Sequence, residues 1–157
     1  MGEKRQFLRH TLATLAYRGG KAMRGAPDDF AAFRVNETSR TPAQILTHIG
    51  DLCDWALSLA RGKQIWRGAE PLPWPLEVER IHAALQALDD FLASDEPLAC
   101  APERLFQGPI ADALTHVGQI GILRGRAGAP VRPENYFKAE IVSGLLGSTQ
   151  APPKMEF

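Results

Sequence analysis

Thr41-Pro-Ala-Gln-Ile-Leu-Thr-His-Ile-Gly-Asp-Leu52 is the stretch on which the fold turns. Its first four residues read as a capping box with proline in the first helical position. The Thr41 hydroxyl can accept from the backbone N–H of Gln44 while the Gln44 side chain reaches back to residue 41. Ile45, Ile49, Leu52, Ala56 and Leu59 then repeat at helical spacing, and Arg61-Gly62 ends the run. This is an amphipathic helix with a stated beginning, face and end.

Working outward, three more segments carry the same signature, and no run alternates as a strand does. The first spans roughly Lys4 to Met23, with Phe7, Leu8, Leu12, Leu15 and Ala22 as apolar positions. Gly19-Gly20 weaken its last turns. A Trp/Pro-rich linker (Trp66, Pro71, Pro73, Trp74, Pro75) separates the second helix from a third, read from about Leu76 to Ala93 on Val78, Ile81, Leu85, Leu88 and Leu92. A broken stretch, 94–107, precedes a fourth helix from near Pro109 to about Arg126. From about residue 129 the chain is expected to be a loosely structured tail, with one short helical candidate from Glu134 to Val142. The expectation is all-α: one domain over 1–157, a four-helix bundle. Connections of about a dozen residues or more exceed the turns of a simple up-down bundle, so the expected topology has crossovers.

Bulk properties exclude some functions. Eighteen Lys and Arg balance eighteen Asp and Glu, and the chain lacks the basic excess that phosphate-backbone binding requires. Nucleic acid is therefore not an expected partner. No segment approaches the ~20 apolar residues of a membrane span, and the N-terminus shows no signal-peptide pattern, so the expected location is cytoplasmic. The two cysteines, Cys53 and Cys100, have no metal-ligand spacing, and Cys53 sits among apolar neighbours as a small buried hydrophobe.

The chemistry-bearing residues lie in two helices. In Gly108-Pro-Ile-Ala-Asp-Ala-Leu-Thr-His-Val-Gly-Gln-Ile-Gly-Ile-Leu-Arg124, Asp112 and His116 are one turn apart. Their Cβ atoms then stand roughly 6 Å apart on one face, close enough to share a metal ion. His48 in the second helix is a third candidate. Together they make a two-histidine, one-carboxylate set with coordination positions to spare, as metal-assisted chemistry needs. Each also has a plain structural reading. Asp112 is an acid in a first helical turn, a histidine on a helix flank is commonly packed or hydrogen-bonded, and an Asp/His pair at this spacing arises by chance. Spacing alone leaves the two readings open.

Other residues have weaker alternatives. His10 and His82 read as flank residues. Trp55, Trp66 and Trp74 read as core and loop anchors, or in part as walls of a pocket. Asp51 and Asp54 read as a solvated face or as partners of a ligand imidazole. Arg124 and Arg126 read as C-terminal helix cations or as holders of a substrate carboxylate.

Two motifs make the chain resemble the DinB/YfiT-like superfamily of small four-helix bundles, over nearly its whole length. One is Thr-Pro-x-x-Ile-Leu-x-His, Thr41 to His48, similar to the family's helix with a single histidine ligand. The other is His116-Val-Gly-Gln-Ile followed by Leu123-Arg-x-x-Ala-Gly128, similar to the helix bearing the second ligand. The family pattern usually has another histidine four residues earlier, where this chain has Asp112. The resemblance implies a metal site of His48, Asp112 and His116 holding one divalent transition metal, Zn, Ni, Fe or Mn. It further implies a homodimer and a small-molecule substrate. The implied activity is metal-dependent activation of a low-molecular-weight thiol for S-transfer to an electrophile. A metal-dependent hydrolase that activates water is the alternative within the same site, and a non-catalytic metal-binding or stress-response bundle is the alternative outside enzymes. The apolar tail segment Ile141 to Leu146 needs cover from the bundle or from a partner.

Overall fold

A computed structural model describes residues 2–157 and shows an all-helical chain without β-strands among those residues. Four long helices form the bundle: α1 (Glu3–Met23), α2 (Pro42–Ala60), α3 (Trp74–Ala93) and α5 (Ala111–Arg126), with a one-turn α4 (Pro102–Leu105) before α5. The extensive contacts pair α2 with α3 and α5, and α1 with the same two helices. The core between them contains Leu12, Leu15, Ile45, Leu46, Ile49, Leu52, Ile81, Leu85, Leu88, Leu92, Ala113 and Ile120, all buried.

The helix expected from Thr41 is present with both halves of its capping box: Gln44 N–H donates to Thr41 Oγ1 at 3.2 Å, and Thr41 N–H donates to Gln44 Oε1 at 2.9 Å. Gly62 closes it with φ of 75°, a left-handed conformation that glycine adopts without steric cost. Helix α3 starts two residues earlier than the periodicity suggests, because Pro75 falls within its first positions, where a missing N–H costs nothing. Helix α1 runs unbroken through Gly19-Gly20 to Met23. Phe7, expected in its apolar stripe, is instead 63 % exposed and leans on the Phe106 ring at 6.4 Å.

Before α5 the backbone departs from the expected plain start. Residues 106–110 form a widened π-type turn, and Gly108 leaves helical dihedrals (φ −92°, ψ −105°). Pro109 explains it, since its ring clashes with the carbonyl four residues back and it has no N–H to give. Leu105 and Ile110 on either side are buried, so the kink is pinned from both ends.

The tail forms one 3-10 turn, Tyr136–Lys138, rather than a helix from Glu134 to Val142. It is nonetheless anchored. Glu134 is buried and accepts from Tyr17 Oη and Lys21 Nζ, each at 2.7 Å, while Lys21 also donates to Glu156. Residues 134 and 156 form an isolated antiparallel bridge. Leu146 is buried, Ile141 packs against the core, and the Leu146 carbonyl meets His82 Nδ1 at 2.6 Å. The bundle thus covers part of the apolar tail segment itself, leaving Val142 exposed. Cys53 and Cys100 are both free, and burial pushes the Cys53 thiol up to about 12, where it stays protonated. No helix among the described residues is long and apolar enough to cross a membrane.

The capping box gives a direct test of what starts α2. Thr41→Ala removes an acceptor from a nearly buried helix start and should lower unfolding free energy by about 0.5–2 kcal/mol. Urea denaturation followed by far-UV circular dichroism reads this as a lower midpoint at constant slope.

Candidate metal centre

Helices α2 and α5 pack side by side, and the three expected ligands come together across that seam. His48 Nε2 lies 3.7 Å from Asp112 Oδ2, and His116 Nε2 lies 3.4 Å from Asp112 Oδ1. The imidazole rings stand at 87° with centroids 4.7 Å apart. One nitrogen from each histidine and one carboxylate oxygen all fall within 4.8 Å of one another. Donor atoms bound to one ion at about 2.1 Å would stand about 3–4 Å apart, so a small inward movement closes the set.

The surroundings fit a metal better than they fit a hydrogen-bonded trio. Both Nε2 contacts to Asp112 exceed the 2.7–3.2 Å of a good N–H···O bond. His48 is pushed below the ordinary histidine value by burial first, then by the charges of His116 and Arg40, against the opposing pull of Asp112. Its neutral form is therefore favoured, which is the form that binds metal. His116 Nδ1 meets Gln119 Oε1 at 2.8 Å, one turn along α5. A carbonyl oxygen accepts, so Nδ1 carries the proton and the Nε2 lone pair faces Asp112 and His48. This is the hydrogen bond that fixes the tautomer of a ligand imidazole. Asp112 is 48 % exposed at its side chain, while His116 is buried and His48 only partly so. The site is walled on the protein side and open at the carboxylate.

Trp66, one of the three tryptophans read as anchors, is a wall residue: its ring meets His48 edge-on at 5.5 Å and Trp55 at 5.8 Å. Trp74 is a core anchor against Phe30. The loop carrying Trp66 is held by a buried polar network. Ala69 N–H donates to Asp51 Oδ2, and Leu72 N–H donates to Glu77 Oε1, which also accepts from Thr47 Oγ1. Arg80 binds Asp51 and Asp54, donates to the Thr47 carbonyl, and places Nη1 3.6 Å from the otherwise unpartnered Glu77 Oε2. Burial alone would weaken the Arg80 charge, and the carboxylates around it outweigh that effect. Gly50 makes room for this guanidinium, since a Cβ there would sit 3.1 Å from it.

Asp51 is thus buried rather than solvated, and its bonds go to Arg80 and Ala69 while only its charge acts on His48. Helix periodicity missed Glu77 and Arg80 because charged residues on a helix are read as its wet face, whereas here Glu77 is buried and Arg80 half-buried. Arg124 is buried and donates to the carbonyls of Ala22, Arg24, Gly25 and Ala129, closing the C-terminal ends of α1 and α5. His82 serves the tail, and His10 is exposed on α1.

No family model, curated protein or solved structure matches the chain. The site therefore stands on its own geometry. His48, Asp112 and His116 are the group of side chains, among the described residues, that could hold a metal ion.

Two outcomes are expected. Gln119→Leu should lower metal affinity about 10–100-fold with the fold intact, read by competition with a chromophoric chelator. In metal-free protein, NMR titration should place His48 below the ordinary 6.5. The unfolded chain then takes up this proton at higher pH than the folded one. The His48 contribution to stability is complete above pH 6.5 and declines as pH falls through the lower folded value. A midpoint at or above 6.5 would contradict the burial of this ring.

Proposed function

We propose that His48, Asp112 and His116 hold one divalent transition metal, and that the chain is a metal-dependent enzyme activating a low-molecular-weight thiol for S-transfer to an electrophilic small molecule. The observation that carries this is the convergence of three ligand atoms within 4.8 Å, with the His116 tautomer set by Gln119. A divalent ion at such a site supplies Lewis acidity that makes a thiol a nucleophile at neutral pH. The protein's part is to favour the neutral form of His48, to aim both imidazoles, and to leave one side open. Trp66 covers His48, and the half-exposed Asp112 marks the way in. Membership of the DinB/YfiT-like superfamily, with its crossover topology, belongs to the same proposal. The packing of α1 on α3 and α5 supports it. A homodimer also belongs to it, with exposed Phe137 and Val142 as apolar surface to cover.

Hydrolysis at the same ligands is the second reading, favoured by the access that water has to Asp112. Elemental analysis and activity assays separate these from a non-catalytic bundle. The wild type should carry about one transition metal per chain, and His116→Ala should lose it. Conjugation that requires added thiol supports S-transfer; turnover without thiol supports hydrolysis. Absence of metal after reconstitution would leave a binding or structural protein.

A further inference from the structure

Two clefts flank the metal centre, and Arg40 lines both of them. The cleft on the His48 side, about 310 Å³, also contains the carboxylates of Asp51 and Glu70. The cleft on the His116 side, about 410 Å³, contains no acid: Ser39, Ile45, Gln119, Ile122 and His116 line it with Arg40. Its volume suits a small molecule. Arg40 is exposed, and its guanidinium has no hydrogen bond or ion pair among the described residues. The other site-proximal arginine, Arg80, is consumed by Asp51, Asp54 and Glu77. Ile122 is 68 % exposed, an apolar floor beside a free cation.

We infer that the His116-side cleft binds a small carboxylate-bearing molecule, with Arg40 holding the carboxylate and Ile122 its apolar part. This rests on the metal reading, because the same cleft is bounded by His116. A planar guanidinium takes a carboxylate through two parallel N–H···O bonds, which fixes orientation as well as charge. Asp112, beside His116, is an opposing charge, and a divalent ion on the triad more than offsets it. The carboxylate can belong to the thiol or to its electrophilic partner; the chemistry of recognition is the same.

Calorimetry on zinc-loaded wild type, Arg40→Gln and Arg40→Lys tests this, with butyrate, 3-mercaptopropionate and 2-mercaptoethanol as probes. Zinc should bind all three proteins, in Arg40→Gln at least as tightly as in wild type, since a neighbouring positive charge is gone. Arg40→Gln should then lose about tenfold in affinity for a carboxylate probe, as expected for one charge-assisted contact. Arg40→Lys should restore part of it, and 2-mercaptoethanol should be indifferent to position 40. An Arg40 effect confined to 3-mercaptopropionate assigns the carboxylate to the thiol. An effect of equal size on butyrate shows that Arg40 recognises the carboxylate without a thiol on the same molecule. Failure of wild type to take up zinc sinks the metal reading and this inference with it. Normal zinc binding with carboxylate affinity independent of position 40, or with no carboxylate binding at all, overturns the inference alone.

Discussion

Helix α2 must satisfy two demands at once, and one orientation meets both. Ile45, Ile49, Leu52 and Ala56 must leave water, which turns that face inward against α3 and α5. Burial of an Ile or Leu side chain contributes roughly 1.5–3 kcal/mol, more than a typical single hydrogen bond near the site. Once the face is set, His48 falls on the seam with α5, and Thr47, Gly50 and Asp51 fall toward α3 and the 66–72 loop. The apolar packing therefore decides where the imidazole points, and the candidate metal centre inherits its geometry from the core.

The polar groups around α2 divide by how they are satisfied. On the α3 side, Asp51, Glu77 and Arg80 compensate one another and tie down the loop that carries Trp66. A buried carboxylate left alone would cost several kcal/mol, and here the arginine and backbone N–H groups hold it. On the α5 side, His48, Asp112 and His116 are brought close without good hydrogen bonds between them. Only His116 Nδ1 is fully engaged, by Gln119. An interlocked network on one side of α2 thus stands beside a partly exposed trio whose members lack good hydrogen bonds to one another.

Much of this was legible in the chain. The capping box and the three-and-four spacing of apolar residues located α2 and the bundle, and the four-residue step from Asp112 to His116 placed two site residues on one face. The widened turn at 106–110 was not legible as such, although Gly108-Pro109 carries its cause. The tail was misread locally: residues 134–142 have the composition of a helix, but Glu134 is held by Tyr17 and Lys21, and that tertiary bond outweighs a weak propensity.

What the sequence determined by itself is whatever depends on near neighbours: helix starts and stops, the direction of each apolar face, and the pairing of Asp112 with His116. The tertiary structure alone decided what depends on distant segments meeting. It set His48 within reach of α5, buried Glu77 beneath the loop, and gave Arg124 to the carbonyls of α1. It also left Arg40 unpaired between two clefts. The reason is that a charge on a helix carries no local sign of its partner; only packing decides whether it meets water, a carbonyl, a carboxylate or a ligand.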